Sequence, residues 1–184
     1  MQEIQEVAVP SVHSDRASQG MGGFSAPTVW VDAPADCLVI TCSDHRFRRQ
    51  VDEFIKALGY KQPHVLSFPS GVALAHPLIS TLGFLTKGID KLLEKSLDVT
   101  HVKEVVCIAH EDCGVYGAGK IKLVDTLSRK FRGKPIRDIQ CDHLSRSVAR
   151  LKSAFRGVRV RAFYADVDSN GSASKVTFRE IEVA

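Results

Sequence analysis

The segment Cys37-Leu38-Val39-Ile40-Thr41-Cys42-Ser43-Asp44-His45-Arg46 joins two unlike halves. Its first six residues form a short, continuous apolar run rich in β-branched side chains, the pattern of a strand buried on both faces. Its last four are polar and charged. A second segment has the same construction: Val102 to Ala109, with Val105, Val106, Cys107 and Ile108 at its centre, runs directly into His110-Glu111-Asp112-Cys113-Gly114. Two buried strands that each end in a polar cluster point to a parallel sheet, because ligands of such sheets bind outside the carboxyl ends of the strands.

The intervening sequence agrees. Phe47 to Leu58 has helical spacing, with Val51, Phe54, Ile55 and Leu58 on one face and Gly59 as a stop signal. His64 to Phe68 reads as a second strand, closed by Pro69-Ser70-Gly71. A long helix is predicted from Pro77, since Leu78, Leu82, Leu85, Ile89 and Leu92 repeat at steps of four and three. Ile136 to Phe155 reads as another helix and Val158 to Ala165 as a fourth strand. Asp168 to Gly171 is a turn signal, and Lys175 to Val183 alternates as an exposed edge strand. The expected fold class is α/β: a single domain over residues 36–184, its mostly parallel sheet flanked by helices and ending in an antiparallel C-terminal edge strand. Residues 1–35 lack sustained periodicity and read as a flexible N-terminal arm, ordered against a partner subunit.

Composition narrows the function. The chain has 184 residues, 44% hydrophobic and 25% charged, which suits one globular domain with a real core. The net charge of +4 is spread along the chain, so no nucleic-acid surface is expected. No apolar run is long enough for a membrane helix. Met1 to Pro10 carries Glu3 and Glu6 where a signal peptide would carry basic residues, so a cytoplasmic location is expected. In that compartment the five cysteines are core residues, metal ligands or nucleophiles rather than disulfides.

If the two strands are neighbours, the two clusters meet and supply two thiolates and an imidazole from Cys42, Cys113 and His110. Zinc favours these ligands in tetrahedral geometry, and three protein ligands leave a position open for chemistry. Arg46 can hold the Asp44 carboxylate through two parallel hydrogen bonds and keep it ionised. Asp44 can then accept a hydrogen bond from water at the metal, or serve as the fourth ligand and close the site. Cys37 and Cys107 lie inside apolar strands and read as core. Cys141, beside Asp142 and His143, lies in an amphipathic helix and reads as part of it. His45 reads as a side chain facing away, Glu111 and Asp112 as residues suited to a helix start, and the glycines from Gly114 to Gly119 as tight packing around the metal loop.

The pair Cys42-x-Asp44-x-Arg46 and His110-x-x-Cys113-Gly114 resembles the β-class carbonic anhydrases, and the resemblance runs from about Cys37 to the C-terminus. It implies one zinc ion per chain on Cys42, His110 and Cys113, with Asp44 and Arg46 as a catalytic dyad and Gly71 and Gly114 at the substrate pocket. The implied reaction is reversible hydration of carbon dioxide to bicarbonate by zinc-bound hydroxide, in a homodimer or larger homo-oligomer. The chain departs from the family at Phe68-Pro69-Ser70-Gly71-Val72, where Gly71 is kept and the usual polar neighbours are replaced. Two other functions fit the motifs: hydrolysis of carbonyl sulfide or carbon disulfide, and a non-catalytic zinc-bound dimer acting through protein contacts.

Overall fold

The structure, a computed structural model, describes residue 27 and residues 31–71, 84–116, 134–168 and 174–183. Most of the expected arm, the helix start from Pro77 to Gly83, Gly117, Gly119 and the turn after Asp168 lie outside the described residues.

Within the unit Ala33–Ala184, five strands form one sheet. They are β1 (Cys37–Cys42), β2 (Pro63–Phe68), β3 (Glu104–His110), β4 (Arg159–Asp168) and β5 (Lys175–Glu180). The order across the sheet is β2-β1-β3-β4-β5. Every pairing is parallel except that of β4 with β5. The α/β class and the antiparallel C-terminal edge are therefore as the sequence led us to expect. Three helices join the strands among the described residues: α1 (Arg48–Ala57), α2 (Phe84–Thr100) and α3 (Ile136–Ala154). None of the described helices is long and apolar enough to cross a membrane.

The continuous apolar runs have a direct cause. Leu38 and Ile40 of β1 face one side, where Leu93 of α2 and Leu144, Val148 and Leu151 of α3 cover them. Cys37 and Val39 face the other, against Val51 and Ile55 of α1. A strand covered on both faces has no solvent side, so alternation disappears from its sequence. β5 keeps its alternation because only one face is covered: Phe178 stacks on Phe54 of α1 with centroids 4.1 Å apart.

The sheet order places the chemistry. From β1 the chain moves outward to β2, then crosses back over β1 to begin β3 on its other side. The point where the winding reverses lies between the carboxyl ends of β1 and β3, where parallel sheets open a crevice. The register pairs Ile40 with Cys107. Cys42 thus stands level with Ala109, and His110 one step further along the neighbouring strand.

The Ser70–Gly71 turn after β2 packs beneath this crevice. Ser70 and Gly71 both have left-handed backbones, φ 66° and φ 57°. A Cβ at Gly71 would lie 3.0 Å from the Cys42 amide nitrogen and 3.2 Å from the Ile108 carbonyl oxygen. Glycine is required both by the dihedral and by the approach of two other backbones. Gly71→Ala should cost at least about 1–2 kcal/mol for the left-handed backbone alone. The expected result is a lower urea midpoint at unchanged slope; an unchanged midpoint would contradict it.

Candidate metal centre

Cys42 ends β1 and His110 ends β3, while Cys113 follows in the turn after β3. Their ligand atoms all lie within 4.8 Å of one another. His110 and Cys113 are 3% and 4% exposed, and Cys42 is half-buried. The structure thus joins the three residues that the sequence reading brought together from two strand ends.

The donor set can be tested against zinc. The two sulfur atoms are 3.8 Å apart. Two thiolates each about 2.3 Å from one zinc ion at the tetrahedral angle stand about 3.8 Å apart. His110 Nδ1 lies 2.7 Å from the Glu111 carbonyl oxygen, an acceptor that requires Nδ1 to carry the proton. The lone pair is then on Nε2, which is buried and has no hydrogen-bond partner among the described residues. A buried acceptor left unmatched is costly unless a ligand completes it. The residues fit a tetrahedral ion that takes sulfur and nitrogen donors. The neighbouring Cys113 thiol holds the Cys42 thiol well below its ordinary value despite burial, which acts in the opposite direction. The neighbouring Cys42 sulfur and burial push the Cys113 thiol up.

Beside these three residues, Asp44 and Arg46 form a two-point ion pair. Asp44 caps the 3-10 turn His45–Phe47, its Oδ1 accepting from the Arg46 backbone N–H at 3.0 Å. The Arg46 guanidinium returns to the same carboxylate, with Nη2 to Oδ2 at 2.7 Å and Nε to Oδ1 at 3.0 Å. Asp44 is not a member of the three-residue group, its carboxylate being engaged by Arg46 instead. Arg46 also reaches the second cluster, donating to Asp112 Oδ2 at 2.8 Å and to the Asp112 carbonyl oxygen at 2.9 Å. One guanidinium therefore ties the two strand-end clusters together.

Several expectations need correction. Glu111 and Asp112 do not begin a helix; they form a tight turn in which Asp112 has φ 52°. The turn leaves them two other tasks: Asp112 receives Arg46, and Glu111 Oε2 accepts from the Val167 amide at 2.7 Å. Gly114 is not tightly packed, since it is exposed and an added Cβ would meet nothing within 4 Å. Gly71, by contrast, lies against the Cys42 backbone.

The remaining residues sit as expected. Cys37 and Cys107 are wholly buried in the core, and burial pushes the Cys37 thiol up to about 12. His45 is exposed, and Cys141 is half-buried on α3. Sequence reasoning missed Asp112 as a partner of Arg46, and also a buried polar layer behind the ligands formed by Tyr116, Gln140, His143 and Tyr164. The available signal was the position of Gln140: it continues the buried face of Leu144, Val148 and Leu151, and a polar residue in such a place needs partners.

No protein-family model and no curated protein matches the chain. Solved structures do. The carbonic anhydrase from Streptococcus mutans is 17% identical over 86% of this chain and 88% of its own, with a TM-score of 0.52. The β-carbonic anhydrase CafA of Aspergillus fumigatus is 17% identical over 82% of this chain and 76% of its own, again with a TM-score of 0.52. At such identities the likeness is one of fold, and the chain has the α/β fold of these proteins.

The Asp44–Arg46 pair predicts a pH dependence. Arg46 holds the Asp44 carboxyl down at about 2, from an ordinary 3.8. An acid whose pKa is lower in the folded state adds stability above its unfolded pKa and loses it as pH falls through the folded one. With chelator present, lowering pH from 4 to 2 should remove at most about 1 kcal/mol through this group, after discounting for solvent screening of the half-exposed Arg46. Urea unfolding across that window should show a smaller acid loss in Asp44→Asn. Equal losses in both proteins would exclude the coupling.

Proposed function

We propose that the chain is a zinc-dependent carbonic anhydrase that reversibly hydrates carbon dioxide to bicarbonate. The carrying observation is the convergence of Cys42, His110 and Cys113 at tetrahedral sulfur spacing beside an ionised Asp44. Its placement at the winding reversal of this sheet, and the fold shared with two proteins described as carbonic anhydrases, support the reading.

Zinc bound there would supply Lewis acidity that makes water a competent nucleophile at neutral pH. The chain's residues would do the rest. Cys42, Cys113 and His110 would hold the ion with three donors and leave one position open. Arg46 keeps Asp44 ionised and aimed. Arg46 makes four hydrogen bonds to the Asp44 carboxylate through three N–H groups, Nε being shared between both oxygens. In exchange for the longest of these, Nε to Oδ2 at 3.2 Å, the carboxylate would accept a hydrogen bond from the attacking water and turn its lone pair toward the carbon. Carbon dioxide is small, linear and uncharged, so the pocket needs shape and dryness more than ionic anchors.

The resemblance also implies a homodimer or larger homo-oligomer, which we include in the proposal. A cytoplasmic location is included as well.

Stopped-flow carbon dioxide hydration, with zinc content measured on the same sample, tests the proposal. Wild-type protein should carry one zinc per chain and be active. Cys42→Ala and His110→Ala should lose both zinc and hydration. Asp44→Asn should keep its zinc and fall roughly 10²–10⁴-fold in turnover, the range for a lost proton-handling group. Undiminished hydration in a variant verified to lack zinc would overturn the proposal. Faster turnover of carbonyl sulfide or carbon disulfide by the same sample would reassign the substrate.

A further inference from the structure

Behind His110 lies a polar chain that the motifs do not include. Tyr164 of β4 donates its hydroxyl hydrogen to Gln140 Oε1 at 2.6 Å. Gln140 of α3 donates through Nε2 to the His110 main-chain carbonyl oxygen at 3.1 Å. Gln140, Tyr164 and His110 are 2%, 0% and 3% exposed. Three elements, β4, α3 and β3, thus meet through one amide.

The direction of this chain is forced. The His110 carbonyl can only accept, so the amide must present its NH2 there and its oxygen to Tyr164. A flipped amide would set two oxygens against each other at the His110 end. Tyr164 can donate, and its hydrogen completes the arrangement.

The acceptor itself has few alternatives. The Glu111 amide donates across to the Ala165 carbonyl of β4. Peptide groups of successive strand residues face opposite sides, so the His110 carbonyl faces away from β4. On that side the described pairing of β3 with β1 ends at Cys107, opposite Ile40. The His110 carbonyl is thus a buried strand-end acceptor served by a side chain rather than by a neighbouring strand.

We infer that Gln140, oriented by Tyr164, is a positioning residue that fixes the His110 backbone and so aims its Nε2 at the metal position. The inference rests on the zinc-site reading above. His110 is held at two points: Gln140 fixes the main chain, and the Glu111 carbonyl fixes the ring through Nδ1. With both in place the rotation of the imidazole is set before any ion arrives. Groups behind metal-ligating histidines act in this way, and their loss costs about 10- to 100-fold in metal affinity. An apolar residue at position 140 would fill the same helix face while releasing the carbonyl and, with it, the His110 main chain.

The test uses the full chain as wild type, Gln140→Leu, Tyr164→Phe and Val148→Ala. Zinc affinity is read by competition with a chromophoric chelator. Ligand geometry is read from the visible absorption bands of the cobalt(II)-loaded proteins. Gln140→Leu should weaken zinc about 10- to 100-fold and shift the cobalt bands. Tyr164→Phe should move both readings in the same direction by less, since the amide stays but loses its orienting donor. Val148→Ala, buried on the same helix two turns on, should lower thermal stability and leave affinity and bands unchanged.

Wild-type affinity and bands in a folded Gln140→Leu would overturn the inference. An equal affinity loss in Val148→Ala would also do so, by tracing the effect to general loosening of α3. If Gln140→Leu does not fold, Tyr164→Phe decides by the same two readings. Failure of the wild type to bind either metal would overturn the proposed function together with this inference, whereas the other adverse outcomes overturn this inference alone.

Discussion

The parallel pairing of β1 with β3 is the constraint on which the candidate site depends. These strands are separated in sequence by α1, β2 and α2, yet they lie side by side, with Ile40 opposite Cys107. That register sets Cys42 and His110 at adjacent strand ends. A shift of one residue would turn each apolar side chain to the other face, placing Leu38 and Ile40 against α1 and exchanging the two cores. Because both faces are buried, the hydrophobic pattern and the site geometry are fixed together. The winding reversal between the same strands keeps crossover connections away from the crevice and leaves its mouth to the two polar clusters.

Arg46 secures what the register begins. Backbone pairing of β1 with β3 is described only through Ile40, so the polar segments beyond it need another link. Arg46 supplies one by holding Asp44 in its own segment and both the carboxylate and the carbonyl of Asp112 in the other. Its side chain is 49% exposed, so each contact alone would contribute little. The value lies in the geometry, since a rigid planar fork satisfied on several edges orients its partners more sharply than a lysine ammonium would. The left-handed backbone of Asp112 places that residue where the fork can reach it.

Much of this was legible in the sequence. The strands, the helices and the antiparallel edge follow from burial patterns, because runs such as Leu38-Val39-Ile40 have few alternatives. The convergence of Cys42, His110 and Cys113 follows from two strand ends and the turn after one of them. What could not be read were the tertiary uses of polar residues. Asp112 has the composition of a helix start and serves as a receptor for Arg46 because β3 ends in a turn. Gly114 resembles a packing glycine and meets open space. Gly71 and Gly114 look alike as letters; only the backbones around Gly71 make its missing side chain a requirement. Tyr164 lies inside an apolar strand pattern, and nothing in its neighbours reveals that its hydroxyl reaches α3.

The buried polar layer has a physical rationale of its own. Gln140 and Tyr164 occupy positions that apolar residues would fill without desolvating an amide or a hydroxyl. Each polar atom in the chain therefore has to recover its lost hydration from a partner, and the recovery is complete only in one arrangement: Tyr164 to Gln140, Gln140 to His110. A network satisfied in a single orientation contributes more to specificity than to net stability. It rigidifies the point where β3 ends, the one strand end that bears an imidazole. By contrast, Cys42 is placed by its pairing with Phe68 on β2 and by the close approach of Gly71. Cys113, outside any strand, depends on its turn and on packing with Tyr116. The three candidate ligand positions are thus held by three different devices, and the histidine, whose ring has a rotational freedom that a thiol lacks, is the one given a hydrogen-bonded support at both its main chain and its ring.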